Sequence, residues 1–256
     1  MSQFIDVSHS ENGHILEIAI NRPDKKNALN LEMYSSITTQ IVQAQKSGVR
    51  VIVLYGDGEN FTSGNDLADF AGGADLSSID NPIVQFIFAL LDCSIPIVVA
   101  VQGVAVGIGT TLLMHSDLIY ADPKSQFRLP FVNLGLCPEF ASSYTLPRLA
   151  GHAKAAEWLM LGEFFSAAEA REVGLINAMV NDPLAVAREQ ANALALKPPG
   201  AMRKAKALMK SSQRATLKKI IEDELQAFSD GLKGPEFAEA VGAFFEKREP
   251  DFSSFK

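Results

Sequence analysis

Three stretches of this 256-residue chain carry residue types suited to chemistry on a carbonyl group. Gly103, Gly107 and Gly109 punctuate the sequence GVAVGIG, which leads into the apolar run Thr110 to Met114. A glycine-flanked turn entering a helix exposes backbone N–H groups at the positive end of the helix dipole, and such a turn holds an oxyanion. The same glycines, Gly103 above all, also serve as ordinary tight turns. A second polar turn, Ser63, Gly64, Asn65 and Asp66, is by itself an Asx-type turn with Asp66 capping a short helix. Paired, the two turns supply two backbone donors for one carbonyl oxygen. The third stretch, CPEFASSYTLPRL, sets Glu139 among Leu136, Cys137, Phe140 and Ala141. A carboxylate in an apolar segment is costly unless exposed or used. Pro138 and Glu139 also suit the first turn of a helix, which is the structural alternative.

Other chemistries find less support. His9, His14, His115 and His152 are scattered, with no HExxH and no Cys/His pair at ligand spacing, so no metal site is expected. Cys137 has no identifiable base in its neighbouring sequence and reads as a packed cysteine. GVAVGIG departs from GxGxxG and lacks a ribose-binding acid at the expected distance, which argues against a dinucleotide fold.

The elements that must position these residues alternate as in a layered α/β protein. Ile15 to Ile20 reads as a strand with Leu16, Ile18 and Ile20 on one face and Glu17 interrupting the other. A turn with Pro23, Asp24 and Asn27 follows, then a helix over Leu31 to Lys46 and a buried strand over Val49 to Tyr55. A helix over Ile83 to Leu91 and strands at Ile97 to Val101 and Leu118 to Ala121 continue the pattern. The segment from Phe127 to Leu149 has poor periodicity and reads as a packed loop. Beyond Ala153 helices dominate: Ser166 and Glu169 have capping-box spacing, Asp182 precedes Pro183 at a helix start, and KPPG separates off a basic helix around Arg203 to Lys210. That helix is expected to present a solvated basic face. Two more helices are expected over Leu217 to Ser229 and Glu236 to Lys247.

Composition is that of an ordinary globular protein, with 47% hydrophobic and 21% charged residues. A net charge of -7 gives no broad positive field for nucleic acid or anionic lipid, so neither partner is expected. Two cysteines without CxxC spacing point to a reducing compartment. The polar MSQFIDVSHSENG lacks the features of a signal peptide, and no apolar run approaches the roughly 20 residues of a membrane span. A cytoplasmic location is the resulting expectation.

The segments RPDKKNALN, FTSGNDLADF, IPIVVAVQGVAVGIGTTLLMHSDLIYA and LGLCPEFASSYTLPRLAG, in this order and spacing, resemble the crotonase superfamily, also called the enoyl-CoA hydratase/isomerase family. The resemblance runs from about Ile15 through the C-terminal helices. It implies an α/β fold, with a stacked ββα superhelix core over residues 1–195 and a helical trimerisation region over 196–256. A homotrimer or a dimer of trimers is the implied assembly.

By the same resemblance, the thioester carbonyl of an acyl-CoA lies between the N–H groups of Asn65 and Ile108. Ile108 stands where many members have glycine, a feature similar to the peroxisomal-type isomerase branch. The two glutamates of the hydratases correspond here to Thr111 and Phe131, so simple hydration is disfavoured. Glu139 matches the single glutamate of Δ3,Δ2-enoyl-CoA isomerases. The resemblance places Lys25 or Lys26 near the nucleotide phosphates and the backbone of Ala28 and Leu29 near adenine. It counts Ser63 and Gly64 among the substrate-binding residues, with Asp66 and Leu67 along the pantetheine or adenine end and Ala105, Gly107, Phe131 and Leu134 near the thioester or acyl chain. The implied reaction is double-bond migration in fatty-acid β-oxidation, with no cofactor beyond the coenzyme A of the substrate. Its rivals are hydration or another crotonase-family reaction, and a non-catalytic acyl-CoA-binding module.

Overall fold

Alternating β-branched residues build the main sheet. In the computed structural model, which describes residues 2–70 and 75–255, β1 (Ile5–His9) runs antiparallel to β2 (Ile15–Ile20). α1 (Leu31–Ala44), capped by the Asn30 side chain on the N–H of Met33, leads to β3 (Val51–Gly56), parallel to β2. The short α2 (Leu67–Phe70) and α3 (Pro82–Leu91) come next, followed by β4 (Ile97–Val101) beside β3 and the short β5 (Val104–Val106). Then come α4 (Ile108–Thr111), β6 (Leu118–Ala121), β7 (Gln126–Arg128), α5 (Ser142–Ala150) and α6 (His152–Ala156). β8 (Phe165–Ser166), α7 (Ala167–Glu172) and β9 (Ala178–Met179) close the mixed part. The main sheet has the order β1-β2-β3-β4-β6-β9, and β5-β7-β8 form a second, smaller sheet.

The strand period of two assigns the faces of the main sheet. Leu16, Ile18, Ile20, Ile52, Leu54, Ile97, Val99 and Val101 enter the large core under α1 and α3. Ile15, Val51, Val53, Val98 and Ala100 pack on the opposite side against Ala187, Ala191 and Ala195 of α8 (Pro183–Ala195). The alanine stripe lets α8 lie close to the sheet. Glu17, the polar interruption of β2, pairs there with Arg188 at 2.7 Å.

Of the C-terminal helices, α9 (Pro199–Ser211) packs Met202 on the α8 side of the sheet, while α10 (Arg214–Gly231) and α11 (Pro235–Glu246) fold back on the large core, to which Ile221, Leu225, Phe228 and Phe237 contribute. The basic helix α9 is not a solvated face throughout. Lys206 is buried, with its Nζ 2.6 Å from Asp117 Oδ2 and 2.7 Å from the carbonyl of Ile95. The long lysine stem covers apolar surface and its charge finds a carboxylate, so the sequence pattern of a free basic surface misleads.

The segment from Phe127 to Leu149 also differs from the packed loop of the sequence reading, because it contains α5. Only Ser142 and Leu146 are buried along that helix, and Pro147 lies within it, so its periodicity is muted. Ser166 and Glu169 do form a reciprocal capping box, and Asp182 does cap α8. No helix of the described residues is long and apolar enough to cross a membrane.

Candidate active site

The two glycine turns are laced together by main chain. Thr62 donates its N–H to the carbonyl of Val104, and Val106 donates to the carbonyl of Thr62, each at 3.1 Å. Gly64, at φ 88°, sits so close that a Cβ there would lie 2.6 Å from the Val106 carbonyl oxygen. A third segment joins them: Ser63 donates to Lys26, Leu29 to Gly64 and Asp66 to Leu29, at 2.8 to 2.9 Å. Arg22 clamps this join with an ion pair of 2.7 Å to Asp66. The RPDKKNALN loop, the Ser63–Asp66 turn and the Gly103–Gly109 turn are therefore one structural unit.

Hydrogen bonding in this unit leaves several main-chain donors over, those of Ile108 and Asn65 among them. Gly107, at φ 55° and ψ −120°, starts α4 and receives the N–H groups of Thr110 and Thr111 on its carbonyl. The N–H of Ile108, first in α4, has no acceptor among the described residues, and neither has that of Asn65. Their chain neighbours Gly107 and Asp66 are both bonded. Amide hydrogens fixed by surrounding turns and left unsatisfied are suited to an oxyanion.

Glu139 is tied to this unit through α4. Its Oε1 accepts the hydroxyl of Thr111 at 2.5 Å, and only 4% of the residue is exposed. The main chain bends sharply after it, with Phe140 at φ 56° and Ala141 at φ 57°. Each side of the bend is gripped. His115 Nε2 lies 2.6 Å from the Phe140 carbonyl, with its ring stacked on that of Phe140 at 3.9 Å. Burial holds the imidazole neutral, with its pKa lowered to about 3, so Nε2 carries the proton it donates. On the other side, Glu224 of α10 accepts the N–H of Ala141 at 2.5 Å and that of Ser143 at 3.2 Å.

Burial sets the electrostatics. It raises the Glu139 carboxyl to about 8, opposed by the Thr111 hydrogen bond and reinforced by the charge of Glu224. Glu224 is itself raised by burial to about 7, against the pull of its hydrogen bonds to Ser143 and Ala141. Tyr34, fully buried, donates its hydroxyl to the Asn65 side chain, and burial followed by the Glu139 charge pushes its pKa well up. A proton-holding carboxyl near neutrality beside fixed N–H donors fits the transfer of a proton next to a carbonyl.

A cavity of about 260 Å³ opens beside the turns. Ser63, Gly64, Asn65, Leu67, Gly107, Phe131 and Leu134 line it. Ala105 does not: it is fully buried in the core, and its neighbour Val106 forms the wall, because successive strand residues face opposite ways. Lys25, Lys26, Ala28, Leu29 and Asp66 lie outside the cavity on the joined loop. Ile108 and Glu139 are likewise not part of its lining. A larger hollow of about 690 Å³ between α3, α9 and α10 is lined by Lys206, Lys210, Arg214 and Lys218 and touches none of these groups. The smaller cavity is the one in contact with the two glycine turns.

Residues 10–255 match the family model of enoyl-CoA hydratase/isomerase. The chain belongs to this family, the crotonase superfamily. It is 34% identical to enoyl-CoA delta isomerase 2 of Homo sapiens over 93% of its own length, but spans only 62% of that relative. It is 31% identical to 1,2-epoxyphenylacetyl-CoA isomerase of Escherichia coli, covering 99% of both chains. Among solved structures, an enoyl-CoA hydratase/isomerase of Pseudoalteromonas atlantica superposes with a TM-score of 0.92 at 35% identity, over 98% of this chain and all of the other.

Several residues of this crotonase site carry no signal in the sequence. Glu224 looks like one more acid on an amphipathic helix, and His115 like one more scattered histidine. Phe70, Phe228, Phe237 and Phe244 complete the apolar cavity wall from three different helices. Their convergence depends on how α10 and α11 fold back. Arg22 alone had a local cue, being the first residue of the RPDKKNALN segment.

Proposed function

We propose that this crotonase is a Δ3,Δ2-enoyl-CoA isomerase acting on an acyl-CoA through Glu139 as a single proton shuttle. The observation that carries the reading is one buried carboxyl, Glu139, tied through Thr111 to the turn that presents the Ile108 N–H. In this reading ionised Glu139 takes a proton from C2 of a 3-enoyl-CoA. The electron pair delocalises through the C3–C4 double bond and the carbonyl, and the Asn65 and Ile108 N–H groups stabilise the dienolate oxygen. Each donor contributes roughly 3 kcal/mol to such a transition state. Protonated Glu139 then returns the proton at C4, leaving the double bond between C2 and C3.

Water addition needs a second carboxyl to hold and activate the water. Thr111 and the apolar Phe131 occupy the matching positions, and neither side chain can act as a carboxylate base. The reaction needs no cofactor beyond the coenzyme A of its substrate. In this reading Lys25 or Lys26, on the loop joined to the Ser63–Asp66 turn, meets its phosphates. A homotrimer or dimer of trimers working in cytoplasmic β-oxidation completes the proposal, and the exposed apolar side chains of Met160, Leu161 and Phe164 favour association of copies.

The test offers purified protein 3-enoyl-CoA and 2-enoyl-CoA separately, for wild type and Glu139→Gln. Isomerisation abolished in the variant is the expected result. Hydration that survives the substitution, or binding without turnover, overturns the reading.

A further inference from the structure

We propose that Glu224, on α10 of the C-terminal helical region, is the positioning residue for Glu139, gripping the main chain from Ala141 to Ser143 and thereby fixing the bend from which Glu139 projects. The role deepens the isomerase reading and rests on it, since Glu139 is the proton carrier there.

The geometry begins with a helix start that cannot cap itself. Ala141 occupies the cap position of α5 with no side-chain hydrogen bond, because a methyl group accepts nothing. The first N–H groups of a buried helix need acceptors from elsewhere. Glu224 supplies them: Oε2 receives the Ala141 N–H at 2.5 Å, while Oε1 receives the Ser143 N–H at 3.2 Å and the Ser143 hydroxyl. A carboxylate at a helix N-terminus is also favoured by the helix dipole.

The grip falls on a strained stretch of main chain. Phe140 and Ala141 are consecutive residues with a Cβ held at positive φ, directly after Glu139. Such a conformation persists only where its surroundings over-determine it. Ser142 closes the bend locally, its N–H and hydroxyl both donating to the Glu139 carbonyl, and of the two clamps from distant segments His115 holds the Phe140 carbonyl and Glu224 the following N–H groups. Releasing the second lets Ala141 relax toward ordinary dihedrals and swings the Glu139 side chain away from Thr111.

A third point is electrical. Glu224 is 8% exposed and makes no ion pair among the described residues, so N–H and O–H donors alone compensate its charge. The titratable groups it meets are Glu139 and Cys137 of the segment before α5, and Glu139 in turn faces Tyr34 of α1. Cys137 Sγ contacts the Glu224 main-chain carbonyl at 3.6 Å, and Glu224 raises the proton affinity of Glu139. The residue thus sets both the place of the proton carrier and part of its basicity.

Full-length Glu224→Gln and Glu224→Ala, assayed with 3-enoyl-CoA beside wild type, test this. Glu224→Ala is expected to lose at least tenfold in kcat with KM within twofold, and Glu224→Gln, which keeps one acceptor oxygen, to recover part of the loss. Both variants are expected to shift the midpoint of the kcat/KM profile to lower pH, because the negative charge facing Glu139 is gone. An unchanged kcat in either folded variant overturns the proposal, as does a loss that only tracks the fraction of folded protein. If Glu224→Ala does not fold, the isosteric Gln variant decides alone. Infrared titration of the Glu139 carboxyl, identified by its absence in Glu139→Gln, separates this proposal from the reaction assignment. If wild type turns out not to isomerise, a midpoint that falls in Glu224→Gln still supports the positioning role, and an unmoved midpoint overturns it.

Discussion

Thr111 donates its hydroxyl to Oε1 of Glu139 at 2.5 Å from the same helical turn that begins with the Ile108 N–H. One side chain thereby ties the proposed proton carrier to the turn that presents the Ile108 N–H. It also favours the ionised carboxylate, opposing the upward push of burial. A hydrogen bond to a charged group contributes about 1.5–3 kcal/mol. Thr111→Val, which keeps the shape and removes the donor, should therefore raise the Glu139 midpoint from about 8 by roughly one to two units. The expected readout is a kcat/KM profile displaced to higher pH, with the rate at pH 7 at least tenfold lower and the alkaline plateau largely preserved. Thr111→Ser should restore the wild-type midpoint.

Glu139 also links stability to pH, with a definite sign. The folded protein holds this proton up to about 8, whereas the ordinary value is 4.5. Between those values the folded state binds more protons than the unfolded one, so this group's contribution to stability falls as pH rises, by up to about 1.4 kcal/mol per pH unit. Glu139→Gln removes the dependence. Urea unfolding of both proteins from pH 5 to pH 9 should show the variant gaining relative stability up to about pH 8, and no further change above it. A difference that stays constant with pH rules out a buried, proton-holding Glu139.

The legible part of this protein is local. GVAVGIG and SGND announce tight turns through their glycines, and β2, β3 and β4 announce themselves through runs of Ile and Val. Glu139 stood out because an acid among Leu136, Cys137, Phe140 and Ala141 contradicts its surroundings. What stayed hidden depends on contacts across long sequence separation. Glu224 and Ala141 meet 83 residues apart, and no periodicity encodes which acid of α10 turns inward. The helix α5 was concealed by its own context, since left-handed Phe140 and Ala141 and the internal Pro147 erase the usual start and period.

Lys206 is buried away from the chemistry, and its ion pair with Asp117 should matter for folding alone. The ammonium is nearly inaccessible and bonded to both Asp117 and the Ile95 carbonyl. Removing one partner of such a pair leaves a buried charge uncompensated, at a cost of about 3–5 kcal/mol. Lys206→Met should lower the urea midpoint accordingly while leaving turnover per folded molecule within twofold of wild type. A variant as stable as wild type would mean that the pair is solvated.

Gly64 tests whether backbone placement, rather than any side chain, makes the oxyanion site. Its φ of 88° disfavours every residue with a Cβ, and a methyl group there would meet the Val106 carbonyl oxygen at 2.6 Å. Gly64→Ala must push the Ser63–Asp66 turn off the Gly103–Gly109 turn, and the neighbouring Asn65 N–H moves with it. The backbone strain itself costs about 1–2 kcal/mol. Misplacing one donor of an oxyanion site lowers kcat on the order of 10²-fold. The expected result is therefore a modest fall in Tm with a disproportionate loss of kcat. Gly200→Ala provides the comparison: a Cβ there meets nothing within 4 Å in the first turn of α9, so helix propensity should leave stability equal or slightly higher and turnover unchanged. If Gly64→Ala turns over like Gly200→Ala, the Asn65 N–H does not stabilise the developing charge.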